Sequence, residues 1–138
     1  MPETLVLDTH VWVWLVAGEA KLGDKTLARI GQAARRGEAL VAAISVWEVA
    51  MLEARRHLVL TKPVLQWVQD ALTAPGLSLA PLSPEIAVDA CRLPADPGGD
   101  PADRMIVATA RQNGATLVTR DRRILDYGQQ GHVATLAA

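Results

Sequence analysis

Short apolar stretches recur along this chain, each leading into a segment of helical periodicity, and that alternation limits the fold more than any other feature of the sequence. Residues 4–7 form an apolar run ending at Asp8, the pattern of a buried strand feeding a helix through His10, Val11, Trp12 and Leu15, with Gly18 at its end. Asp24 reads as the N-cap of a helix reaching Arg36, with Leu27, Ile30 and Ala34 on one face and Gly37 as the stop. Residues 39–43 read as a second strand, and Ser45 caps a helix running to about Arg56, whose basic end suits the helix dipole. Pro63 opens a helix containing Leu65, Trp67, Val68 and Leu72 that closes at Pro75-Gly76. A third strand over 77–82 precedes a short helix opened by Ser83-Pro84.

The clearest loop spans 94–101, with three Pro and two Gly in eight residues. Beyond it, residues 103–113 read as a helix stopped by Gly114, residues 115–119 as a strand, Arg120-Asp121 as an acidic turn and 132–136 as a last edge strand. Strands alternating with helices imply right-handed crossovers and a parallel sheet covered on both faces. A length of 138 residues fits one such domain over 1–138.

Four carboxylates, Asp8, Glu48, Asp103 and Asp121, fall where a strand yields to a helix or where a helix begins. In a parallel α/β sheet these positions converge at the carboxyl ends of the strands, where ligands bind. Converging acids repel one another unless a cation lies between them, and hard divalent ions such as Mg²⁺ or Mn²⁺ take oxygen ligands. The sequence offers zinc no His or Cys cluster. A cation of this kind acidifies and aims a water, which is what phosphodiester hydrolysis requires.

Each acid also has a purely structural explanation. Asp8 and Asp103 can be helix N-caps, Ser45-Val-Trp-Glu48 matches a capping box, and Asp121 can simply make a turn. Caps need not be acidic, however, nor need they gather at one end of a sheet.

The formal net charge of -1 argues weakly against nucleic acid, yet without the four acids 14 basic residues face 11 acidic ones. Arg35, Arg36, Arg55, Arg56, Arg104, Arg120, Arg122 and Arg123 are then candidate phosphate contacts, although charge alone leaves a solvated role equally open. The single Cys91 reads as a buried structural thiol on an apolar helical stripe. No apolar run is long enough to span a membrane and the N-terminus does not resemble a signal peptide, so a cytoplasmic location is expected. Trp12 and Trp14 lie two apart on a helix and cannot share one core, so one of them is available to a partner surface, whereas Trp47 and Trp67 are assigned to the core. His10 is read as an exposed first-turn residue.

Leu5-Val-Leu-Asp8-Thr9-His10, Ser45-Val-Trp-Glu48-Val-Ala50, Asp100-Pro-Ala-Asp103-Arg-Met-Ile-Val-Ala-Thr-Ala110 and Leu117-Val-Thr119-Arg-Asp121 resemble, in order and spacing, the four motifs of PIN-domain nucleases, and most closely those of VapC-type toxins. The resemblance runs nearly end to end. It implies a three-layer α/β/α fold around a five-stranded parallel sheet and a Mg²⁺ or Mn²⁺ endoribonuclease site. It also implies homodimerisation and inhibition by a cognate VapB-type antitoxin. Asp8 and Asp103 match the principal metal ligands, and Glu48 and Asp121 match further acids that act directly or through water. Thr119 matches a hydroxyl supporting the pocket, with Thr9 placed beside it; for Asp100, site participation and loop solvation both stand. Arg104, Arg120, Arg55 and Arg56 are the expected RNA contacts. Structured RNA such as tRNA is compatible, but no residue selects it. Two positions depart from the pattern: Leu52 stands where similar chains often carry Lys, and Ala102 where they carry an aromatic.

Two other functions fit an acidic pocket at a sheet edge. A receiver-like or phosphatase domain would phosphorylate Asp8, but lacks a second Asp at the expected spacing and a Lys after the final strand. A catalytically decayed partner-binding module would not need all four acids.

Overall fold

A computed structural model describes residues 2–138. The strands are β1 (Leu5–Leu7), β2 (Ala39–Ala42), β3 (Leu77–Ala80), β4 (Thr116–Thr119) and β5 (Ala134–Ala137). Between them run α1 (Thr9–Ala17), α2 (Asp24–Arg35), α3 (Ala43–Ala54), α4 (Val64–Leu72), α5 (Pro84–Cys91), α6 (Pro101–Gln112) and α7 (Arg122–Gln129). All strand pairs are parallel, in the order β3-β2-β1-β4-β5, and Leu5 pairs with both Ala39 and Thr116.

Alternation along the central strands separates two apolar cores. Leu5, Leu7, Val41 and Val118 face one way, onto Trp12 of α1, Ile30 of α2, Val49 of α3 and Trp67 of α4. Val6, Ala42 and Leu117 face the other, onto Ile86 of α5, Ile106 and Val107 of α6, and Ile124 and Tyr127 of α7. These are the three expected layers.

Helix ends match their glycines. Gly18 takes a left-handed conformation and its N–H closes onto the Leu15 carbonyl, ending α1. Gly76, at φ +83°, is the tightest position: a Cβ there would sit 1.9 Å from the Ala34 carbonyl oxygen, so only glycine lets the turn after α4 lie against the end of α2.

Several expectations need correction. Gly23, not Asp24, caps α2; Asp24 is the first helical residue and its charge faces the positive end of the helix dipole. Ser45 caps nothing, because β2 passes directly into α3 through Ala42 and Ser45 lies inside the first turn, fully buried. Glu48 therefore has no capping box to complete. Cys91 is exposed rather than buried, since the inward stripe of α5 runs through Ile86 and Ala90 and the thiol lies one residue off it. Trp47 is 55% exposed for a similar reason: Ser45 and Val49 form the buried face of α3. Trp67 is buried as expected, against the edge of the Trp12 ring at a centroid distance of 5.1 Å. The segment after Asp121 forms a full helix, α7, where the sequence reading had only a turn.

Candidate metal centre

Chain order reverses between β1 and β4, the switch point at which parallel sheets open a crevice beyond their carboxyl ends. Asp8 leaves β1 there and Asp121 follows β4 by two residues. Glu48 reaches the same edge from α3, and Asp103 from the first turn of α6. Together with Asp100 these acids line one cleft of about 390 Å³, with His10, Trp14 and Arg120 on its wall.

Local hydrogen bonding fixes each acid. Asp8 Oδ1 accepts from the Thr9 backbone N–H at 2.8 Å and Oδ2 from the Thr119 hydroxyl at 2.6 Å, so β4 orients the carboxylate that ends β1. Thr119 Oγ1 in turn accepts from the Asp121 N–H at 3.0 Å. Thr9 Oγ1 lies 2.5 Å from Glu48 Oε1 and 2.9 Å from the buried Ser45 Oγ. A hydroxyl has one proton to give, so Thr9 donates to Glu48 and Ser45 donates to Thr9. Ser45, expected only as a cap, thus becomes the base of a hydroxyl relay holding Glu48. Its signal in the sequence was its place three residues before Glu48.

Asp100, not Asp103, caps α6, accepting from the Asp103 N–H at 2.8 Å. Asp103 is thereby released from capping and faces the other acids. Asp121 does both jobs. Its Oδ1 caps α7 through the Arg123 and Ile124 N–H groups at 2.8 and 3.3 Å, while the residue still lines the cleft.

Carboxylate oxygens of Glu48, Asp100 and Asp103 lie within 4.8 Å of one another, close enough to share one cation. Asp8 is outside that trio but shares the cleft. Burial raises the Asp103 pKa to about 7, reinforced by the charges of Asp100, Asp8, Glu48 and Asp121. Burial also pushes Asp8 upward against the opposing Thr119 and Thr9 hydrogen bonds, and pushes Glu48 upward against the Thr9 hydrogen bond. Such a set, oxygen-only and raised in pKa by burial and by its neighbouring charges, fits a hard divalent cation, which relieves that repulsion.

The arginines divide. Arg120 lines the cleft. Arg104 lies next to it but is occupied, donating to the Ala90 carbonyl at 2.9 Å and pairing with Asp96, which ties the 94–101 loop to α5 and α6. Arg55 and Arg56 sit at the exposed end of α3 and line no part of the cleft. Leu52, partly buried, lies one helical turn beyond Glu48 on the same helix, and Ala102 is buried at the start of α6.

Comparison with known proteins agrees with this architecture. The chain is 40% identical over 124 residues to Ribonuclease VapC22 of Mycobacterium tuberculosis, an alignment covering 90% of this chain and 92% of that one. Its fold resembles that in the crystal structure of DNA-bound VapBC from Salmonella typhimurium (TM-score 0.70, 14% identity, covering 98% of each chain). It also resembles FitAcB from Neisseria gonorrhoeae (TM-score 0.64, 20% identity, 96% of each chain). At those identities the two structures speak for the fold alone. The family model for the PIN domain matches residues 5–129, from the first strand through the last helix, and with a relative this similar over nine-tenths of its length the chain belongs to the PIN-domain family.

Proposed function

We propose that this chain is a divalent-metal-dependent endoribonuclease and the toxin of a type II toxin/antitoxin pair, working as a single domain in the cytoplasm. The observation that carries the proposal is the meeting of Asp8, Glu48, Asp103 and Asp121 in one cleft at the β1/β4 switch point. Similarity to a protein named a ribonuclease supplies the substrate class.

Asp8, Glu48 and Asp103 would hold Mg²⁺ or Mn²⁺, with Asp100 and Asp121 acting directly or through water. When bound, the cation supplies a Lewis-acid centre that acidifies a water and offsets charge developing on the phosphate. The chain supplies orientation: Thr119 and the Ser45-Thr9 relay keep the Asp8 and Glu48 carboxylates aimed before any cation arrives. The Thr119 and Thr9 hydroxyls are committed to carboxylates and that of Ser45 to Thr9, so none of the three is a nucleophile, and hydrolysis proceeds without a covalent enzyme intermediate. A phosphotransfer role fits less well, because the cleft's full cation is Arg120 and no Lys lines it.

Partners follow the same reading: a second copy of the chain and a VapB-type antitoxin, the latter because similar solved folds include VapBC complexes. A separate apolar groove of about 800 Å³, between α1, α2, α4 and the segment 58–62, exposes Val16, Leu27 and Val59 and is the surface we assign to the antitoxin. No helix among the described residues is long and apolar enough to cross a membrane.

The test is cleavage of total cellular RNA by the purified chain after EDTA treatment. Activity is expected to vanish with chelation and return with added Mg²⁺ or Mn²⁺. Cleavage undiminished by EDTA, or none under any metal, overturns the proposal.

A further inference from the structure

The acidic cleft has a second wall whose chemistry is opposite. Arg120 is the full cation among the residues lining it, and its guanidinium carbon lies 4.7 Å from the centroid of the Trp14 ring. Its Nε donates to the Ala138 main-chain oxygen at 3.2 Å, and its Nη2 donates to the Lys21 carbonyl. Lys21 Nζ also lies 5.3 Å from the Trp14 ring, and the His10 ring is 6.0 Å from it.

Several features separate this arrangement from an ordinary solvated arginine. The side chain is exposed, yet an aromatic ring and two main-chain oxygens hold it in place. Its hydrogen bonds go to main-chain oxygens, not to the acid side chains alongside. A guanidinium carries five N–H donors, and two are used here, leaving three. They form part of a fork whose geometry matches two phosphate oxygens, fixed in advance at the mouth of a cleft that otherwise repels anions.

We propose that Arg120, held against Trp14, grips a non-bridging oxygen of an RNA phosphodiester in the cleft, and that Trp14 is the positioning residue acting through it. This rests on the ribonuclease reading above. Base stacking on Trp14 is disfavoured, because a ring face already carries the guanidinium.

The experiment is steady-state cleavage of a short single-stranded RNA with saturating Mg²⁺ over a range of salt, alongside Mn²⁺ binding, for wild type, Arg120→Gln, Arg120→Lys and Trp14→Leu. Arg120→Gln is expected to lose about tenfold to hundredfold in kcat/KM, the loss of one charge-assisted contact. Its log-log salt slope should fall by about 0.7, as for one phosphate contact to a single strand. Its Mn²⁺ affinity should not fall, because removing a positive charge from the cleft does not weaken cation binding. Arg120→Lys keeps the charge and so the salt slope, but recovers only part of kcat/KM, because it lacks the fork. Trp14→Leu should shift in the same direction as Arg120→Gln, by less. Wild-type kcat/KM and salt slope in Arg120→Gln overturn the proposal while leaving the nuclease reading intact. A Trp14→Leu variant matching wild type overturns the positioning role. Wild type that cleaves no RNA overturns both readings together.

Discussion

Asp103→Asn is expected to abolish RNA cleavage and, in the metal-free protein at pH 8, to raise the thermal midpoint. Removing a residue that merely orients a metal ligand costs about 10- to 100-fold, so replacing a ligand should cost at least about 100-fold. The stability effect follows from the site's crowding. Burial and the neighbouring carboxylates hold Asp103 at a pKa of about 7 in the folded chain, against 3.8 for an ordinary Asp. Between those values the folded chain keeps a proton that the unfolded chain has released, so stability declines as pH rises from about 4 to 7. Above that range the ionised Asp103 carries its full destabilising effect. Asn never ionises and escapes it. Thermal melts of EDTA-treated protein should therefore show wild type less stable at pH 8 than at pH 5, and the variant less dependent on pH. Added Mg²⁺ should stabilise wild type at pH 8 more than the variant. An Asp103→Asn protein that melts below wild type at pH 8 and still cleaves RNA would contradict the account.

Trp12→Ala is expected to be the most damaging core substitution near the site. The ring is fully buried between the sheet and α4, edge-on to Trp67. Truncating a buried Trp costs about 3–5 kcal/mol, a large share of the roughly 5–15 kcal/mol that holds a domain folded. The low end is favoured, because Trp12 Nε1 is a buried donor with no partner among the described residues and its loss removes a penalty. The melting midpoint should fall by about 10 °C. Trp47→Ala, at a 55% exposed position, should change stability by less than about 0.5 kcal/mol. Chemical denaturation of the two variants side by side checks the contrast; equal losses would contradict the packing described for α1 and α3.

What the sequence made legible was mostly what the backbone dictates. Asp8 ends an apolar run and Asp121 follows another, so strand geometry alone placed them at one edge. The breaks at Gly18, Gly37, Gly76 and Gly114 fell where left-handed turns occur. What stayed hidden depended on which face of a helix meets the core. Ser45 looked like a cap because strand and helix usually need a joint, and here β2 runs into α3 without one. Cys91 and Trp47 each sit one or two residues off a buried stripe, a rotation that short helices do not reveal in sequence. The helix α7 offers only Ile124 and Tyr127 as buried anchors beside Gly128, too few for a clear period, although its cap Asp121 was in plain view. Arg120 was one of eight candidate arginines until Trp14 and two main-chain oxygens distinguished it.

The central claim is that acids scattered over the sequence converge to bind a divalent cation. Anomalous diffraction from crystals of the wild-type protein soaked in Mn²⁺ tests it most directly. The account predicts an anomalous peak in the cleft, contacting Asp103 and at least one of Asp8 and Glu48. No peak there at saturating Mn²⁺, or Mn²⁺ bound only elsewhere on the molecule, would contradict it.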